Sequence, residues 1–489
     1  MNDEVVVAPQ ASAAGRSVQD YIDETPAWRD GTPVNTVPMT AMQRRIWWLA
    51  AAGKFFEGLV VFMTGVALPL IAKEFGIGAF EHGLVSAATL FGILVGAITL
   101  GGLADVFGRR RMFIIEMFVF IVFLCLLVAS PNFTWLVVCL FGLGVALGCD
   151  YPTAHLMISE SIPSAVRGRL VLSAFGFQAL GALCGTAVGY LVLKNMPEIE
   201  AWRWMYATAI VPAMIIALYR LTVTESGSWL LRRGHEERAA DSVRRLLKRE
   251  PAYPREVRLA APLRGAVKGG YGALFRGKNL RATVLASVPW FLQDLGTYGI
   301  GIFTPTILAS AVGHKTEHVR SLTDLINNQE MAARGAALID VLLIIGIIAA
   351  VLLADRAGRI KLQVIGFIGC AVGLLIASLS LDASGSLRMV FLFAGFMLFN
   401  FMTNMGPNAQ TYLLAGEVFP THIRGQGAGF AAAFAKIGAV MTAFLFPILI
   451  VDIGTQALLY ILVATSLLGA LVTWVFRIET TGVNLDKLD

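Results

Sequence analysis

Apolar runs of eighteen or more residues recur from about residue 46 to residue 477, separated by short polar stretches. Each is long enough to cross a hydrocarbon core of roughly 30 Å as a helix. The pattern predicts six spans, at 46–72, 84–104, 112–130, 133–160, 170–193 and 203–223, followed by a polar segment of about 55 residues. Six more follow at 280–311, 335–355, 362–381, 387–416, 427–452 and 456–477. The expected class is an all-α membrane protein of twelve transmembrane helices. Its expected parts are an N-terminal tail (1–45), a first six-helix half (46–223), a central linker (224–279), a second half (280–477) and a C-terminal tail (478–489). The N-terminal tail has no basic stretch leading into an apolar core, so it reads as a partly disordered tail and not as a signal peptide.

Short polar motifs repeat between the halves. Leu103-Ala104-Asp105-Val106-Phe107-Gly108-Arg109-Arg110-Arg111 returns as Leu353-Ala354-Asp355-Arg356-Ala357-Gly358-Arg359-Ile360-Lys361. Glu160-x-x-Pro163-x-x-x-Arg167-Gly168 returns as Glu417-x-x-Pro420-x-x-x-Arg424-Gly425. Six spans are therefore duplicated in the same orientation. Two parallel six-helix halves joined by a long connection are the architecture of a rocking transporter with its site between the halves.

Composition narrows the class. Of the 489 residues 56% are hydrophobic and 15% charged, and the mean hydropathy is +0.70, which excludes a soluble globular protein. The five cysteines (Cys125, Cys139, Cys149, Cys184, Cys370) lie inside apolar runs without paired spacing and read as small buried residues, neither disulfides nor metal ligands. The net charge of +6 is explained by topology and gives no reason to invoke nucleic acid. Arginines and lysines cluster in the loops after spans 2, 4 and 8 and in the central linker, so both termini and the linker are expected on the cytoplasmic side. No nucleophile–base set or metal cluster is visible, so neither an enzyme nor a cofactor is expected.

Polar groups inside the spans carry the functional signal, because a charge in hydrocarbon is costly. They are Lys54 and Glu57 in span 1, Asp150 and His155 in span 4, Gln178 in span 5, Asp294 in span 7 and Asp340 in span 8. Asn404 and Asn408 in span 10 and Lys436 in span 11 complete the set. At 1.5 Å per residue, Glu57, Asp150, Gln178, Asn408 and Lys436 lie roughly 12–17 Å from the cytoplasmic ends of their helices, and Asp294 about 21 Å. Those six fall in one layer near the midplane, whereas Asp340 lies nearer the outer end, as a structural or vestibule residue. Trp290, Asp294 and Tyr298, spaced by four, share one helical face. Lys54 and Glu57, three apart, either neutralise each other or serve transport, and His155 reads as packing.

These residues carry a resemblance. Gly101, Asp105, Gly108, Arg109 and Arg110 match the G-x-x-x-D-x-x-G-R-R signature of the major facilitator superfamily, with Val106 where a basic residue is usual. Glu225-Ser226-Gly227-Ser228-Trp229-Leu230 and Glu479-Thr480-Thr481-Gly482 resemble motifs of its sugar-porter-like branch. Gly148-Cys149-Asp150-Tyr151-Pro152, Trp290-Phe291-Leu292-x-Asp294-x-x-x-Tyr298, Asn404-Met405-Gly406-Pro407-Asn408 and Ala435-Lys436-Ile437-Gly438 resemble motifs of phosphate:proton symporters. The resemblance implies substrate contacts at Tyr151, Gln178, Trp290, Asp294, Tyr298 and Asn408, with Lys436 joining the substrate-binding set as a nearby cation and Asp150 as a proton-linked carboxylate. Burial and mutual repulsion, independently, make Glu57, Asp150 and Asp294 candidates for proton coupling. Span 1 departs from that family's pattern: Val60-Val61 stand where it has a second acid, so organic-anion carriers on the same framework stay open.

The paired loops suit a cytoplasmic gate of Asp105, Arg109, Arg110, Glu160 and Arg167 in one half and Asp355, Arg359, Glu417 and Arg424 in the other. Asp105 or Asp355 can pair with arginines or cap a nearby helix when that side is shut. The expected function is proton-coupled uptake of a small anion, foremost inorganic phosphate, by a monomer in the plasma membrane, the bacterial inner membrane. The alternatives are symport of an organic acid or sugar-like metabolite, and a non-transporting sensor.

Overall fold

The computed structural model describes residues 5–6, 16–23, 27–28, 39–99, 103–248, 257, 259, 271–313, 322–420 and 423–480. The side chains of Asp105, Tyr151, Asp355 and Arg424 lie outside the described residues. Apart from one antiparallel pair of two-residue strands, β1 (Val5–Val6) and β2 (Ala27–Trp28), the described secondary structure is helical.

Span 1 is α2 (Ala41–Phe75), after the short α1 (Val18–Asp23), and span 2 is α3 (Ala79–Thr99) with the short α4 (Leu103–Phe107). Spans 3 and 4 are α5 (Arg109–Val128) and α6 (Phe133–Ser159). Span 5 is broken at Gly176 into α7 (Ser164–Phe175) and α8 (Phe177–Asn195), and span 6 consists of α9 (Ala201–Ala207) and α10 (Ile210–Arg220). The linker holds α11 (Gly227–Arg232) and α12 (Glu236–Leu247). In the second half come α13 (Lys278–Gly313), α14 (Leu322–Ala357), α15 (Arg359–Leu379), α16 (Gly385–Met405), α17 (Pro407–Glu417) and α18 (Arg424–Val475).

Ten of these helical stretches are long and apolar enough to cross a membrane by themselves. The count reaches twelve because α13, interrupted by Pro289 and Pro305, is a further crossing, and because α18 reverses at Gly454 (φ 79°, ψ 162°) into spans 11 and 12. Gly454 falls in the gap expected between them, in backbone geometry that disfavours a β-carbon. Span 10 breaks between α16 and α17 at Gly406, where Pro407 opens the second piece with no amide hydrogen to leave unpaired.

The twelve helices form the two six-helix halves of the major facilitator fold. The halves meet chiefly along three helix pairs, α2 with α13, α3 with α18 and α8 with α14, with smaller contacts of α7 on α14 and α17. The loops bearing Arg109 and Arg359 lie on one face, with α11 and α12 covering part of it; we call this the arginine face. On the far face the halves are in close contact. A β-carbon on Gly65 would sit 2.1 Å from the Ile302 carbonyl oxygen, and Phe80 meets Phe444 edge-on at 5.4 Å.

Two segments are more ordered than the sequence suggested. In the N-terminal tail, α1 buries Val18, Tyr21 and Ile22 against the linker helices. Asp23 accepts hydrogen bonds from the Ser164 amide (2.7 Å) and hydroxyl (2.6 Å), capping α7. In the linker, α12 buries Ala239, Ser242, Val243, Leu246 and Leu247, the three-and-four spacing of an amphipathic helix.

Helix α8 packs against α2 through small residues: a β-carbon on Gly181 would stand 2.0 Å from the Phe55 carbonyl oxygen. Gly181→Leu is therefore expected to cost at least about 1–3 kcal/mol through overpacking. It should lower the thermal midpoint of the detergent-solubilised protein. Gly429→Ala, inside α18 at a position with nothing within 4 Å, should not lower the midpoint and should raise it slightly, since alanine favours the helix by about 0.5–1 kcal/mol.

Candidate functional site

Four helices bring one cluster of buried charges together at mid-membrane. From α2, Lys54 Nζ donates to Glu57 Oε2 at 2.6 Å, with both side chains buried. The other carboxylate oxygen, Glu57 Oε1, accepts from Tyr298 of α13 (3.3 Å) and Gln178 of α8 (3.4 Å). Lys436 of α18 lies 3.7 Å from that oxygen, 3.4 Å from Asp294 Oδ2 and 2.7 Å from the Tyr298 hydroxyl. Gln178 also donates to that hydroxyl at 3.0 Å.

Tyr298 is the hinge of this network, since its oxygen meets groups from both halves. Two lysines face two carboxylates, so the charges of this cluster balance. Each buried charge needs that compensation: removing one partner of such a pair typically costs about 3–5 kcal/mol. The chemical consequence is direct. When Asp294 or Glu57 takes a proton, Lys436 loses a counter-charge and can accept an anion, with Tyr298 and Gln178 as further hydrogen-bonding groups.

Asn408, at the start of α17, donates to Asn404 Oδ1 at 2.6 Å, and Asn404 donates to the Leu343 carbonyl oxygen at 2.9 Å. Trp290 is buried two turns nearer the arginine face than Tyr298 and meets Tyr412 edge-on at 6.0 Å. Tyr412 stacks on Phe175 of the other half at 4.5 Å, and His155, exposed, stands 6.3 Å from it. His155 is thus solvent-accessible while in edge-on contact with the Tyr412 ring.

Asp150 stands apart from this cluster although counting places it at the same depth. Its Oδ1 accepts from Arg220 at 2.6 Å, while Gly53 provides the room: a β-carbon there would overlap Asp150. Arg220 also bonds Glu116 (3.0 Å) and the carbonyl oxygens of Phe113 (2.7 Å) and Leu49 (3.2 Å), and its guanidinium lies 3.6 Å from the Phe113 ring centroid. Counting along a helix gives depth but not the direction in which a side chain points. Asp150 points behind α2 into this triad, within electrostatic reach of Lys54. Glu116 and Arg220 were missed, although each is a charge inside an apolar run and the rule that singled out Asp150 applies to them.

At the arginine face the repeated motifs form matching networks inside each half. Arg109 bonds both oxygens of Glu160 (3.3 Å each) and the Ala104 carbonyl oxygen (2.9 Å), and Arg359 bonds both oxygens of Glu417 (3.2 and 3.4 Å) and Ala354 (3.0 Å). Glu160 also holds Arg232 (3.1 Å) and Ser226; Glu417 holds Thr480 (2.5 Å). The helix caps come from residues the sequence reading had not given that role. Glu225 accepts from the Arg110 amide (3.0 Å), and Glu479 from the Arg359 and Ile360 amides (3.1 and 3.3 Å).

Those caps fit over Gly108 (φ 105°) and Gly358 (φ 91°), where a β-carbon would meet Glu225 and Glu479 at 2.5 and 2.8 Å. The signal was present in sequence as Glu225-Ser226 and Glu479-Thr480, a third repeated pair. Arg110 also reaches the Leu221 carbonyl oxygen (2.7 Å), and Arg167 the Ser164 hydroxyl (3.4 Å).

Residues 45–489 match the family model described as "Sugar (and other) transporter". The chain belongs to this family. It is 28% identical over 452 residues to the putative metabolite transport protein YaaU of Escherichia coli, covering 91% of this chain and 94% of the relative. It is 27% identical over 530 residues to the putative inorganic phosphate transporter C1683.01 of Schizosaccharomyces pombe, covering 92% and 88%. Its fold is similar to that of the E. coli proton:xylose symporter XylE bound to 6-bromo-6-deoxy-D-glucose, with a TM-score of 0.72 at 20% identity over 92% of this chain and 98% of that one. This family member is a multi-pass membrane transporter and not an enzyme.

The Asp150–Arg220–Glu116 triad yields a stability prediction. Arg220→Met leaves two buried carboxylates unpaired and should cost about 3–5 kcal/mol. Adding Asp150→Asn and Glu116→Gln to that variant should restore most of the loss, read by unfolding of the solubilised protein.

Proposed function

We propose that this transporter is a proton-coupled symporter of a small anion, foremost inorganic phosphate, importing it through the plasma membrane by alternating access. The arginine face is cytoplasmic, both termini lie on that side, and the monomer is the working unit. The observation that carries the reading is the balanced cluster of Lys54, Glu57, Asp294 and Lys436 around Tyr298. An unprotonated cluster has no spare positive charge for an anion. A proton on Asp294 or Glu57 supplies one, so proton and anion bind together. The hydroxyl and amide groups of Tyr298, Gln178 and Asn408 supply the convergent hydrogen bonds a tetrahedral oxyanion takes. The similarity to a relative named as a phosphate transporter and to a structure titled as a proton symporter supports this reading.

The proposed roles are these. Glu57 and Asp294 carry protons. Lys436, Tyr298, Gln178, Asn408, Trp290 and Tyr151 contact the anion. Asp150 is the more remote proton-linked carboxylate. The pairs Arg109–Glu160 and Arg359–Glu417 hold the cytoplasmic ends of each half rigid while the halves rock, with Arg110, Arg167, Arg424, Asp105 and Asp355 as neighbours in the gate.

One observation favours a second substrate class. Phe175, Tyr412 and Trp290 form an aromatic wall beside the cluster, which suits the ring of an aromatic acid or the face of a sugar-like metabolite.

Proteoliposomes with an imposed pH gradient should accumulate labelled phosphate, and Asp294→Asn and Glu57→Gln should reduce gradient-driven uptake to that of empty vesicles. Absence of gradient-driven uptake by the folded wild type overturns the phosphate reading. Uptake of a benzoate or pyridine carboxylate in its place supports the second class. Lys436→Gln should weaken anion binding by about 1.5–3 kcal/mol, roughly tenfold to a hundredfold or more, measured by equilibrium binding.

A further inference from the structure

Asp340, on α14, is buried at 2% exposure and belongs to neither charged cluster. Its Oδ2 meets the Thr186 hydroxyl of α8, in the other half, at 3.1 Å, and its Oδ1 accepts from Asn400 of α16 at 3.2 Å. Thr186 and Asn400 are themselves buried, at 0% and 3% exposure. Thr186 lies eight residues beyond Gln178 on the same helix, about 12 Å nearer the far face than the Lys436 cluster. Asn400 is likewise eight residues beyond Asn408. A second polar layer therefore crosses between the halves on the far-face side of the proposed anion site.

No cation compensates this carboxylate among the described residues. The charged groups of α2 and α13, Lys54, Glu57 and Asp294, are taken up in the Lys436 cluster, and α8 and α16 bring only Thr186 and Asn400 to it. Lys194 on α8 and Arg388 on α16 lie about 12 and 18 Å along their helices from Thr186 and Asn400. A carboxylate held only by neutral donors in such an interface bears a large desolvation cost.

Hydrogen-bond bookkeeping shows what satisfies the site. The single hydroxyl hydrogen of Thr186 also reaches the Leu183 and Ala182 carbonyl oxygens, at 3.0 and 3.2 Å. With a neutral Asp340, the carboxyl O–H donates to Thr186 Oγ1, the Thr186 hydrogen goes to Leu183, and Asn400 donates to the remaining carboxyl oxygen. Every group is paired and no net charge is buried.

We infer that Asp340 is a further proton-binding carboxylate, separate from the Lys436 cluster, which takes a proton from the far-face side when the halves close there and returns it to that side when they part. The inference rests on the proton-coupled reading above but assigns a different task. Glu57 and Asp294 carry protons across, whereas Asp340 makes far-face closure depend on the pH at that face. Closure binds one proton, so acid favours it; each pH unit shifts the closed-to-open ratio by at most about tenfold. The transported proton stoichiometry is unaffected.

The test is spin-label distance measurement across the far face in vesicles. Labels are placed at Glu198→Cys and Ser384→Cys, with Cys125 and Cys184 replaced by alanine, between about pH 8 and about pH 5. Wild type should gain short-distance population as pH falls, and Asp340→Asn, whose amide mimics the neutral acid, should hold the short distance at every pH. Thr186→Val, of nearly equal volume, keeps the packing and removes the inter-half partner, so it should shift the whole series toward long distances; it decides the matter if Asp340→Asn does not fold. A pH response that persists in Asp340→Asn, or its absence in wild type, overturns the proposal. Loss of uptake in Asp294→Asn with the far-face response retained supports it. A far-face response in a protein that shows no gradient-driven uptake supports it too, while the proton-symport reading alone falls.

Discussion

Lys436 lies within ion-pair range of carboxylates from both halves, and much of the molecule's interior is arranged around the need to compensate that charge. The lysine comes from α18, Asp294 and Tyr298 from α13, and Glu57 and Lys54 from α2. In a low-dielectric interior, none of these groups is stable alone, so the electrostatics favour contact between two halves that meet elsewhere mainly through apolar side chains and glycines, with Thr186 and Asp340 as a further polar contact. The same property makes the contact changeable. Adding a proton or an anion alters the balance, and with it the free energy holding α2 against α13 and α18.

Within each half the charges are paired differently. Charge networks at the arginine face lie within each half: Arg109 with Glu160, Arg359 with Glu417, and the glutamates Glu225 and Glu479 over positive-φ glycines. The Asp150–Arg220–Glu116 triad similarly ties α5, α6 and α10 behind α2. These buried or half-buried pairs tie neighbouring helices of one half to each other and not to the opposite half, as rigid-body rocking requires. Contacts between the halves and contacts within them are therefore built from the same chemistry at different places.

Hydrophobic run length determined the twelve crossings, because a helix that leaves backbone groups unpaired in hydrocarbon is not viable. Repeated motifs determined the two halves, and the cost of intramembrane charge marked Glu57, Asp294 and Lys436 as groups worth pairing. The gap expected between spans 11 and 12 holds the turn at Gly454, whereas span 10, expected as one run over 387–416, is broken at Gly406. What the sequence left open was azimuth and partnership. Asp150 and Glu57 sit at comparable depths, yet one faces Arg220 and the other Tyr298, since rotation about a helix axis is decided by neighbours that lie 70 and 241 residues away in sequence. The docking of α1 on Ser164, the caps from Glu225 and Glu479, and the meeting of Asp340 with Thr186 were decided by the tertiary structure for the same reason: a hydrogen-bonding group's value depends on what packing brings within about 3 Å of it.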